Sequence, residues 1–493
     1  MNASKIVVIS VALLSMTLAS FLMFQNLGVP AIRVWDEAIY ADNALDMYSY
    51  GDPVVMHRNG EVTLYNTKPP LVIWLQTLSM HLFGPSEFAV RFPSALAGIL
   101  TCLLLLLFAQ FTLKDIRPGL IAVLILSTTY GFVHQHVVKT GDLDAVLVFW
   151  TTGYTLLFIH FLITQPEHYK AIFAWIGVGV AGAFLSKSVA GFIPVAGLAV
   201  CAVWMRKGKW ILTRWDTWIV AGVVLAVCMG YYVLREVMAP GYLNHMFHSE
   251  YTRFLDKRIP WHSHPWYYYF WNWERLDFFT PYVYILPFAI VSGFLSSKQR
   301  TPVALLSIQS LVFVGILSYP IVKLMWYDAP VYPLLALICA LGFIAAWDWL
   351  AGRISLNIST KHLLLIAVSI LLFFFPVKTM YQRNQANLPP VDILEREGYF
   401  VRQLRKEKPE LKDYHVLMVV GQNAHYTQLD FYLNRYNRYE ACDIGLLRDT
   451  TEVRPGDTVL CCQEKQIAWL GSHFDVEKLD ENEIGCVLVK LTR

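Results

Sequence analysis

Charged residues are scarce in this sequence, since Asp, Glu, Lys and Arg make up only 16% of its 493 residues. The formal net charge of +3 gives no support for binding to a polyanion, so nucleic acid is not an expected partner. The sequence has no repeat of fixed period and no low-complexity segment. Its hydrophobic content of 56% exceeds what the core of a soluble protein of this length requires. The composition therefore indicates an integral membrane protein.

Long apolar runs recur along the chain, and several approach the roughly 20 residues that a helix needs to cross a bilayer. We identify eleven, and we expect a mostly α, polytopic membrane protein with about 11–13 transmembrane helices. The runs are 6–24, 88–110, 120–133, 145–163, 171–185, 190–204, 218–234, 278–295, 302–317, 331–347 and 363–376. The first run, 6–24, could be a cleaved signal peptide with Ala19-Ser20 near the cleavage site, but we expect an uncleaved anchor.

Basic residues predict which loops face the cytoplasm, because short cytoplasmic loops are enriched in Lys and Arg. They fall in alternate loops, at positions 114, 117, 170, 206, 207, 209, 214, 298, 300, 353 and 361. With the N-terminus inside and an odd number of helices, the remaining loops and the segment after residue 381 lie on the extracytoplasmic side. These outer loops are 26–87, 134–144, 235–277 and 318–330. Nearly all of the unusual polar residues fall there.

The composition becomes charged and polar from residue 381. This change predicts a soluble extracytoplasmic domain over 381–493, after a transmembrane domain over 1–380 that carries the large outer loops 26–87 and 235–277. A small α/β domain is expected, with a helix at 393–405 and strands at 415–420, 458–462 and 486–491. This segment has neither a Gly-rich phosphate loop nor a nucleophile elbow, so we assign it no chemistry.

The eight cysteines form two groups of four. One group lies in the apolar runs, at positions 102, 201, 228 and 339, and is interpreted as small buried hydrophobic residues. The other group lies in the C-terminal segment and consists of Cys442, Cys461, Cys462 and Cys486. An oxidising compartment would permit one or two disulfides there, but their pairing cannot be read from the sequence. No CxxC spacing indicates a metal site.

The acidic pair Asp36-Glu37 follows the first apolar run. A carboxylate at a membrane surface with an apolar wall behind it can have a raised proton affinity and can act as a general base on a hydroxyl. Alternatively, Asp36 caps a helix that begins at Glu37 and lies along the interface. Taken alone, the pair fits the helix cap better.

A second polar feature of the first outer loop is Lys68-Pro69-Pro70. The two prolines fix an extended turn and hold the Lys68 ammonium near the start of the next apolar segment, where the phosphate of a lipid-linked ligand would lie. Alternatively, Lys68 extends to ordinary phospholipid headgroups. One lysine does not separate these two interpretations.

These residues belong to a series of motifs. In the first outer loop and its flank they are Trp35-Asp36-Glu37 with Tyr40-Ala41, Gly51-Asp52, Asn59-Gly60, Lys68-Pro69-Pro70-Leu71 with Trp74, Phe83-Gly84, Ser86-Glu87-Phe88 and Arg91-Phe92-Pro93-Ser94. Further along they are Asp144-Ala145-Val146-Leu147, Ser186-Lys187-Ser188, Glu250-Tyr251-Thr252-Arg253-Phe254, and Lys323 with Tyr327, Pro330 and Tyr332-Pro333. The series, over residues 30 to about 340, resembles the integral-membrane GT-C glycosyltransferases. The most similar members are the bacterial lipid A aminoarabinose transferases and, more distantly, the protein O-mannosyltransferases.

The resemblance implies a GT-C fold and an inverting transfer of a sugar from a polyprenyl-phosphate carrier to an acceptor at the outer face of the bacterial inner membrane. Asp36 matches the proposed base of the family. Asp144 matches a second acid, expected to orient Lys68 or Arg253 or to bind the acceptor. Family contacts to the donor phosphate match Lys68, Arg253, Lys323 and Tyr327. Further substrate-binding candidates are Glu37, Tyr40, Lys187, His248 and Glu250.

The expected partners are the lipid-linked sugar donor, a lipid or glycan acceptor resembling lipopolysaccharide, and membrane lipids, and a monomer is expected. No cofactor is implied with certainty. Many relatives have an acidic residue before Lys-Pro-Pro and a Glu-His pair before the loop arginine, whereas this chain has Thr67 and Tyr251. A divalent metal therefore has no support from the sequence. His262 and His264 are a pair without a third ligand at a standard spacing, which favours an interfacial position over zinc.

Other functions remain open from the sequence. A transporter or lipid flippase would have as many apolar runs, but it should carry ionisable residues at mid-membrane depth and inverted halves. Here the ionisable residues collect at one face, which favours surface chemistry. Among enzymes, a glycan polymerase or ligase and a protein O-glycosyltransferase are the alternatives to a lipid-modifying transferase.

Overall fold

The computed structural model describes residues 3–134, 136–252, 262–385, 392–418 and 427–492. The chain forms two compact units. We call the first the membrane unit; it comprises Met1–Leu27, Thr67–Leu75 and Arg91–Ala386. We call the other the second unit; it comprises Gly28–Asn66, Gln76–Val90 and Asn387–Arg493.

Each of the eleven predicted apolar runs contains a helix in the structure. The helices are Ala3–Phe24, Glu87–Phe108, Arg117–Ser127, Asp144–Thr164, Tyr169–Lys187, Ile193–Trp204, Trp215–Met238, Tyr282–Leu295, Arg300–Ser318, Tyr332–Ala351 and Ile358–Gln385. Among the described residues, 7 helical segments are long and apolar enough to cross a membrane, and Tyr169–Trp204 counts as one of them. The chain is therefore a polytopic helical membrane protein.

Shorter elements connect these helices. One predicted run, 120–133, is broken after Ser127, because the hydroxyls of Thr128 and Thr129 bond to the carbonyls of Leu124 and Ile125 and compete with the helix. The short helices of the membrane unit are Tyr130–Val133, Gly208–Leu212, Tyr242–Phe247 and Tyr268–Arg275, with π-helical turns at Ala109–Leu113 and His248–Thr252 and 3-10 turns at Ser188–Phe192 and Ala329–Val331. The apolar helix Leu71–Phe83 was not predicted.

Helix Tyr332–Ala351 lies at the centre of the membrane unit and packs against Arg117–Ser127 and Tyr282–Leu295. Gly342 permits the second contact, since a Cβ there would lie 2.3 Å from the Cα of Ala289. In the most apolar stretch of this central segment, 83% of the residues are buried. The corresponding share is 17% in Ile358–Gln385 and 22% in Trp215–Met238. Those two helices expose apolar side chains along most of their length, which is the pattern of a helix that faces lipid.

The second unit combines part of the first outer loop with the C-terminal segment. Its loop part contains helix Asp36–Tyr50 and a hairpin of β1 (His57–Arg58) and β2 (Glu61–Val62). The hairpin turns at Asn59 and Gly60, whose φ angles of 54° and 81° suit an Asn-Gly pair. Its C-terminal part contains helices Arg396–Glu407, Thr427–Tyr439 and Glu464–His473 with 3-10 turns at Ile393–Glu395 and Thr450–Glu452.

A five-stranded mixed sheet completes the second unit, in the order β4-β3-β5-β7-β6. The strands are β3 (Asp413–Leu417), β4 (Asp443–Leu447), β5 (Thr458–Cys461), β6 (Val476–Glu481) and β7 (Val487–Leu491). β3 pairs in parallel with β4 and β5, whereas β7 pairs antiparallel with β5 and β6. The expected small α/β domain is therefore present, with a core that includes Leu417, Val459 and Leu470.

Ion pairs inside the second unit show why its boundary differs from the predicted one. Arg58 and Arg438 bind Asp430 and Asp46, each at 2.6 Å. These contacts join loop residues to C-terminal residues about four hundred positions away, so the sequence boundary at 380 did not reveal that most of loop 26–87 belongs to this unit.

Cysteine pairing is also resolved in the second unit. A disulfide joins Cys462 to Cys486, while Cys442 and Cys461 are free thiols. Residues 461 and 487 are register partners on β5 and β7, so the disulfide closes the end of this strand pair.

Candidate active site

Lys68 lies in a compact hydrogen-bonded cluster of the membrane unit. Its Nζ donates to Oε1 of Glu250 at 2.6 Å, and the hydroxyl of Thr67 donates to the same oxygen at 2.7 Å. The Glu250 side chain is only 4% exposed, whereas that of Lys68 is 27% exposed. The Lys68 side chain is therefore partly exposed, while its carboxylate partner is buried. Thr67, which stands where many relatives have an acidic residue before Lys-Pro-Pro, is thus one of the two donors to Glu250.

The backbone beneath Lys68 is held independently of Glu250. Arg235, which is fully buried, donates from Nη1 to the carbonyl of Lys68 at 3.0 Å, and Tyr242 donates its hydroxyl to the carbonyl of Thr67 at 2.7 Å. The Arg235 guanidinium also lies 4.2 Å from the centroid of the Tyr242 ring. Sequence reasoning missed both residues. The available signal was an arginine in the last turn of a membrane-spanning helix, since ionisable groups there are rare and usually functional.

Asp144 and Lys187 form a second charged pair in the membrane unit. Lys187 Nζ lies 2.7 Å from each oxygen of Asp144, and the two side chains are 11% and 4% exposed, respectively. The same ammonium lies 5.2 Å from the centroid of the Tyr327 ring. Three predicted residues therefore meet. The carboxylate that contacts Lys68 is Glu250. That Asp144 orients Lys68 or Arg253, or binds the acceptor, stays a prediction.

Lys323 is buried, with 2% exposure. Its Nζ donates to the carbonyls of Pro320 and His264, and its backbone N–H donates to the carbonyl of His262. Burial lowers its pKa. The ammonium thus connects the backbone at His264 to the backbone at Pro320. Its contact with a donor phosphate stays a prediction. The ring of His264, considered above for zinc, stacks on Tyr268 at 3.9 Å.

The segment around Tyr327 is packed on both sides. Trp326 stacks on His136 with ring centroids 3.7 Å apart. Asp328 is fully buried and accepts hydrogen bonds through Oδ2 from Trp273 at 2.6 Å and Tyr332 at 3.1 Å. Burial raises the pKa of Asp328 to about 7. These contacts fix the position of the phenol beside Lys187.

Asp36 lies in the second unit, at the first position of helix Asp36–Tyr50. The N-cap residue is Trp35, so Asp36 is not the cap of a helix that begins at Glu37. Trp35 has a φ of 71°, which is unfavourable for a bulky side chain, and it is 46% exposed. Asp36 is itself half-buried. A partly accessible carboxylate at this position is compatible with a base.

The remaining candidates differ in their surroundings. Glu37 is buried, and its Oε2 accepts the backbone N–H of Arg33 at 2.8 Å, a contact that shapes the helix start. Tyr40 is buried one turn along. His248 is exposed, and its Nδ1 lies 2.9 Å from the carbonyl of Asn244. Arg253 lies outside the described residues, so its predicted contact with the donor phosphate stays a prediction.

A family model described as dolichyl-phosphate-mannose-protein mannosyltransferase matches residues 67–234. The undecaprenyl phosphate-alpha-4-amino-4-deoxy-L-arabinose arabinosyl transferase of Aeromonas salmonicida (strain A449) is 29% identical over 335 residues, or 65% of this chain and 58% of that protein. The protein of the same name from Edwardsiella ictaluri (strain 93-146) is 28% identical over 261 residues, or 50% of this chain and 45% of that protein.

Among solved structures, ArnT from Cupriavidus metallidurans bound to undecaprenyl phosphate is similar over 99% of this chain and 98% of its own, with a TM-score of 0.69 and 18% identity. The chain is therefore similar to GT-C glycosyltransferases in part of its sequence and shares the fold of the Cupriavidus metallidurans protein. The predicted GT-C fold and the membrane location are thereby confirmed, and the matches support the predicted family. The chain spans between 45% and 61% of the length of the first curated relatives that it matches.

Proposed function

We propose that this GT-C protein is an inverting glycosyltransferase that moves a sugar from a polyprenyl-phosphate donor to a hydroxyl or phosphate of a lipid or glycan acceptor. In this proposal the reaction and the second unit are both assigned to the outer face of the bacterial inner membrane. The names of the curated relatives support a donor linked to undecaprenyl phosphate. The observation that carries the proposal is the arrangement at Lys68, where a partly exposed lysine pairs with the buried Glu250 and its backbone is fixed by Arg235 and Tyr242.

The transfer is a single displacement at the anomeric carbon. Asp36 takes the proton of the acceptor, and the acceptor oxygen bonds to the anomeric carbon from the face opposite the phosphate. The bond between that carbon and the phosphate oxygen breaks, and its electron pair stays on the phosphate. The products are the glycosylated acceptor and polyprenyl phosphate, and no nucleotide is consumed.

Lys68 stabilises the leaving phosphate. Negative charge grows on this group in the transition state, and a cation fixed beforehand stabilises it without reorganisation. Arg235 and Tyr242 hold the two carbonyls at Lys68 and Thr67, so the ammonium starts from a defined position. Arg253, Lys323 and Tyr327 complete the phosphate site in this proposal, because one ammonium at a wet interface is largely screened.

Asp144 and Lys187 act together. A carboxylate that receives two hydrogen bonds from one ammonium in a buried place is a poor general base, because deprotonating an acceptor would break that pair. We therefore infer that Asp144 holds Lys187, and that Lys187 together with Tyr327 contacts the substrate. Asp36 remains the candidate for the base.

Transfer by purified protein tests the proposal. The protein in lipid nanodiscs should transfer sugar from a polyprenyl-phosphate donor and should not use nucleotide sugars. Lys68→Ala should raise the KM for the donor and lower kcat together, whereas Lys170→Ala, on an exposed lysine, should change neither. Turnover with a nucleotide sugar, and none with the lipid donor, would contradict the function.

A protein is the second candidate for the acceptor. The matching family model describes protein mannosyltransferases, which favours a hydroxyl on a protein. Mass spectrometry of lipids, lipopolysaccharide and glycoproteins from cells with and without the protein separates the two. A mass difference of one sugar on a lipid supports the lipid acceptor, and the same difference on a peptide supports the protein acceptor.

A further inference from the structure

The connection between helices Ile193–Trp204 and Trp215–Met238 combines cations with exposed tryptophans. Residues 204–218 contain four basic side chains, at positions 206, 207, 209 and 214, and four tryptophans, at positions 204, 210, 215 and 218. All four indole rings are exposed. Tryptophans at the ends of membrane-spanning helices collect at the level of the lipid headgroups. The cations of residues 205–214, which we call the basic loop, therefore lie at the depth of the lipid phosphates.

Aromatic packing holds the basic loop against neighbouring helices. The centroid of the Trp210 ring lies 5.6 Å from that of Phe161 and 5.1 Å from that of Tyr169. The Arg214 guanidinium lies 5.2 Å from the Trp210 centroid and 5.3 Å from the Tyr169 centroid, and it donates to the Tyr169 hydroxyl. Because Phe161 and Tyr169 belong to two other helices, these contacts give the loop a fixed position at the membrane surface.

Acidic residues neutralise only part of the charge at this surface. Asp216 lies 3.5 Å from the Lys170 ammonium and 4.0 Å from Nε of Arg214. The other acid of this loop and the adjacent one, Glu167, is exposed. These two carboxylates stand against five basic residues over 165–170 and 205–216, so the surface is positively charged and attracts an anion.

Arg206 occupies a backbone position that favours glycine. Its φ is 57°, its N–H donates to the carbonyl of Val203 at 2.9 Å, and the next N–H donates to the carbonyl of Ala202 at 2.8 Å. This is a Schellman motif, in which a residue with a Cβ is less stable than glycine. The Arg206 side chain is exposed and, within the described part of the chain, has no ion-pair or hydrogen-bond partner to offset that cost. The same holds for the exposed side chain of Lys209.

We propose that Arg206 and Lys209 bind the phosphate of an anionic phospholipid, whose glycerol and upper acyl chains lie against the exposed indole rings. A zwitterionic phospholipid carries an ammonium that opposes the attraction, so the site prefers a headgroup with net negative charge. The orientation predicted from the basic residues places this lipid in the cytoplasmic leaflet. The inference goes beyond the proposed sugar transfer and does not depend on it.

The test is binding of phosphatidylglycerol to the purified protein in detergent, measured by native mass spectrometry, with phosphatidylcholine as the zwitterionic comparison. Arg206→Gly and Lys209→Ala should each raise the dissociation constant for phosphatidylglycerol about fivefold, since a basic residue at a membrane surface contributes roughly that factor. Binding of phosphatidylcholine should not change. Arg206→Lys keeps the charge and should retain most of the affinity.

Stability separates this role from a structural one. Because glycine suits the backbone at position 206, Arg206→Gly should unfold in lipid-free detergent at the same or a higher temperature than the unsubstituted protein, while it binds phosphatidylglycerol more weakly. An arginine that only stabilised the loop would give the opposite change in unfolding temperature.

Lys298→Ala is the matched control, because Lys298 is an exposed lysine of another basic loop whose ammonium already lies 3.0 Å from Asp115. It removes the same charge and should leave the affinity for phosphatidylglycerol unchanged. An equal loss in Lys298→Ala would mean that net charge alone attracts the lipid, which overturns the site. Equal affinity of the unsubstituted protein for the two lipids, or unchanged phosphatidylglycerol binding in Arg206→Gly and Lys209→Ala, also overturns it.

Discussion

Lys187 donates to both carboxylate oxygens of Asp144, each 2.7 Å from its Nζ. The pair joins the start of helix Asp144–Thr164 to the end of helix Tyr169–Lys187, which are neighbours in the membrane unit. Both groups are largely buried. Such a pair contributes little net stability compared with apolar side chains, but the loss of one partner leaves an uncompensated charge.

Lys187→Ala should therefore lower the stability of the membrane unit by about 3–5 kcal/mol, because the buried Asp144 loses its counter-ion. The thermal unfolding midpoint of the protein in detergent is the measurement. Adding Asp144→Asn to this variant should recover part of the loss, since the orphaned charge is removed. If Lys187→Ala unfolds at the unsubstituted temperature yet transfers no sugar, the pair acts only on the substrate.

Asp36→Asn should lower the transfer rate by roughly 10²-fold or more, because the amide keeps the size of the side chain and loses its basicity. Donor binding should change little. The control is Glu61→Gln, at an exposed acid of strand β2, which should leave the transfer rate unchanged. If Asp36→Asn keeps a near-normal rate while Asp144→Asn is inactive, then Asp144 is the base and our assignment of the two acids is wrong.

Trp35 precedes the proposed base with a φ of 71°, so its backbone is strained. Trp35→Gly should relieve about 1–3 kcal/mol of strain, whereas Trp35→Ala keeps the strain. Both remove the exposed ring. If the ring contacts substrate, both variants should lose transfer activity to the same degree while the glycine variant unfolds at a higher temperature. Unequal activities that follow the difference in stability would indicate that the ring itself is dispensable.

The sequence predicted the membrane helices well because each one is a continuous apolar run of near-spanning length. Leu71–Phe83 was missed because Gln76, Ser79 and His81 interrupt its apolar run. In the sheet, β6 was missed since it is an edge strand with mostly exposed and charged residues, so no alternation of apolar side chains marks it. The strand β4 carries Gly445 at its centre, which weakens the same signal.

The site was predictable only in part. Family motifs identified Lys68, Glu250, Asp144 and Lys187 as polar groups of interest, but not their pairing. Glu250 lies 182 positions from Lys68 and Lys187 lies 43 from Asp144, and only the packing of helices brings such residues together. For Arg235, the position in the last turn of an apolar helix was the only local signal. Its hydrogen bond to the Lys68 carbonyl depends on the tertiary structure.

The pH dependence of stability should report on Asp328, whose buried carboxyl has a pKa of about 7 compared with the ordinary 3.8. Because the folded protein keeps this proton over a range in which the unfolded chain has released it, stability should fall as the pH rises from about 4 through about 7. Trp273 and Tyr332 donate to one oxygen of this carboxyl, and an asparagine oxygen can accept from the same two donors. Asp328→Asn removes the titration and leaves these hydrogen bonds possible.

The thermal unfolding midpoint of the unsubstituted protein should decline between pH 5 and pH 8 more steeply than that of Asp328→Asn, with the two curves closest at the acidic end. Asp277→Asn is a suitable control, because that carboxylate is exposed and pairs only loosely with Arg383 at 3.3 Å. Its curve should run parallel to that of the unsubstituted protein. If the curve of Asp328→Asn is also parallel, the buried carboxyl does not titrate in this range. The packing of Tyr327 beside Lys187 would then not depend on the protonation of Asp328.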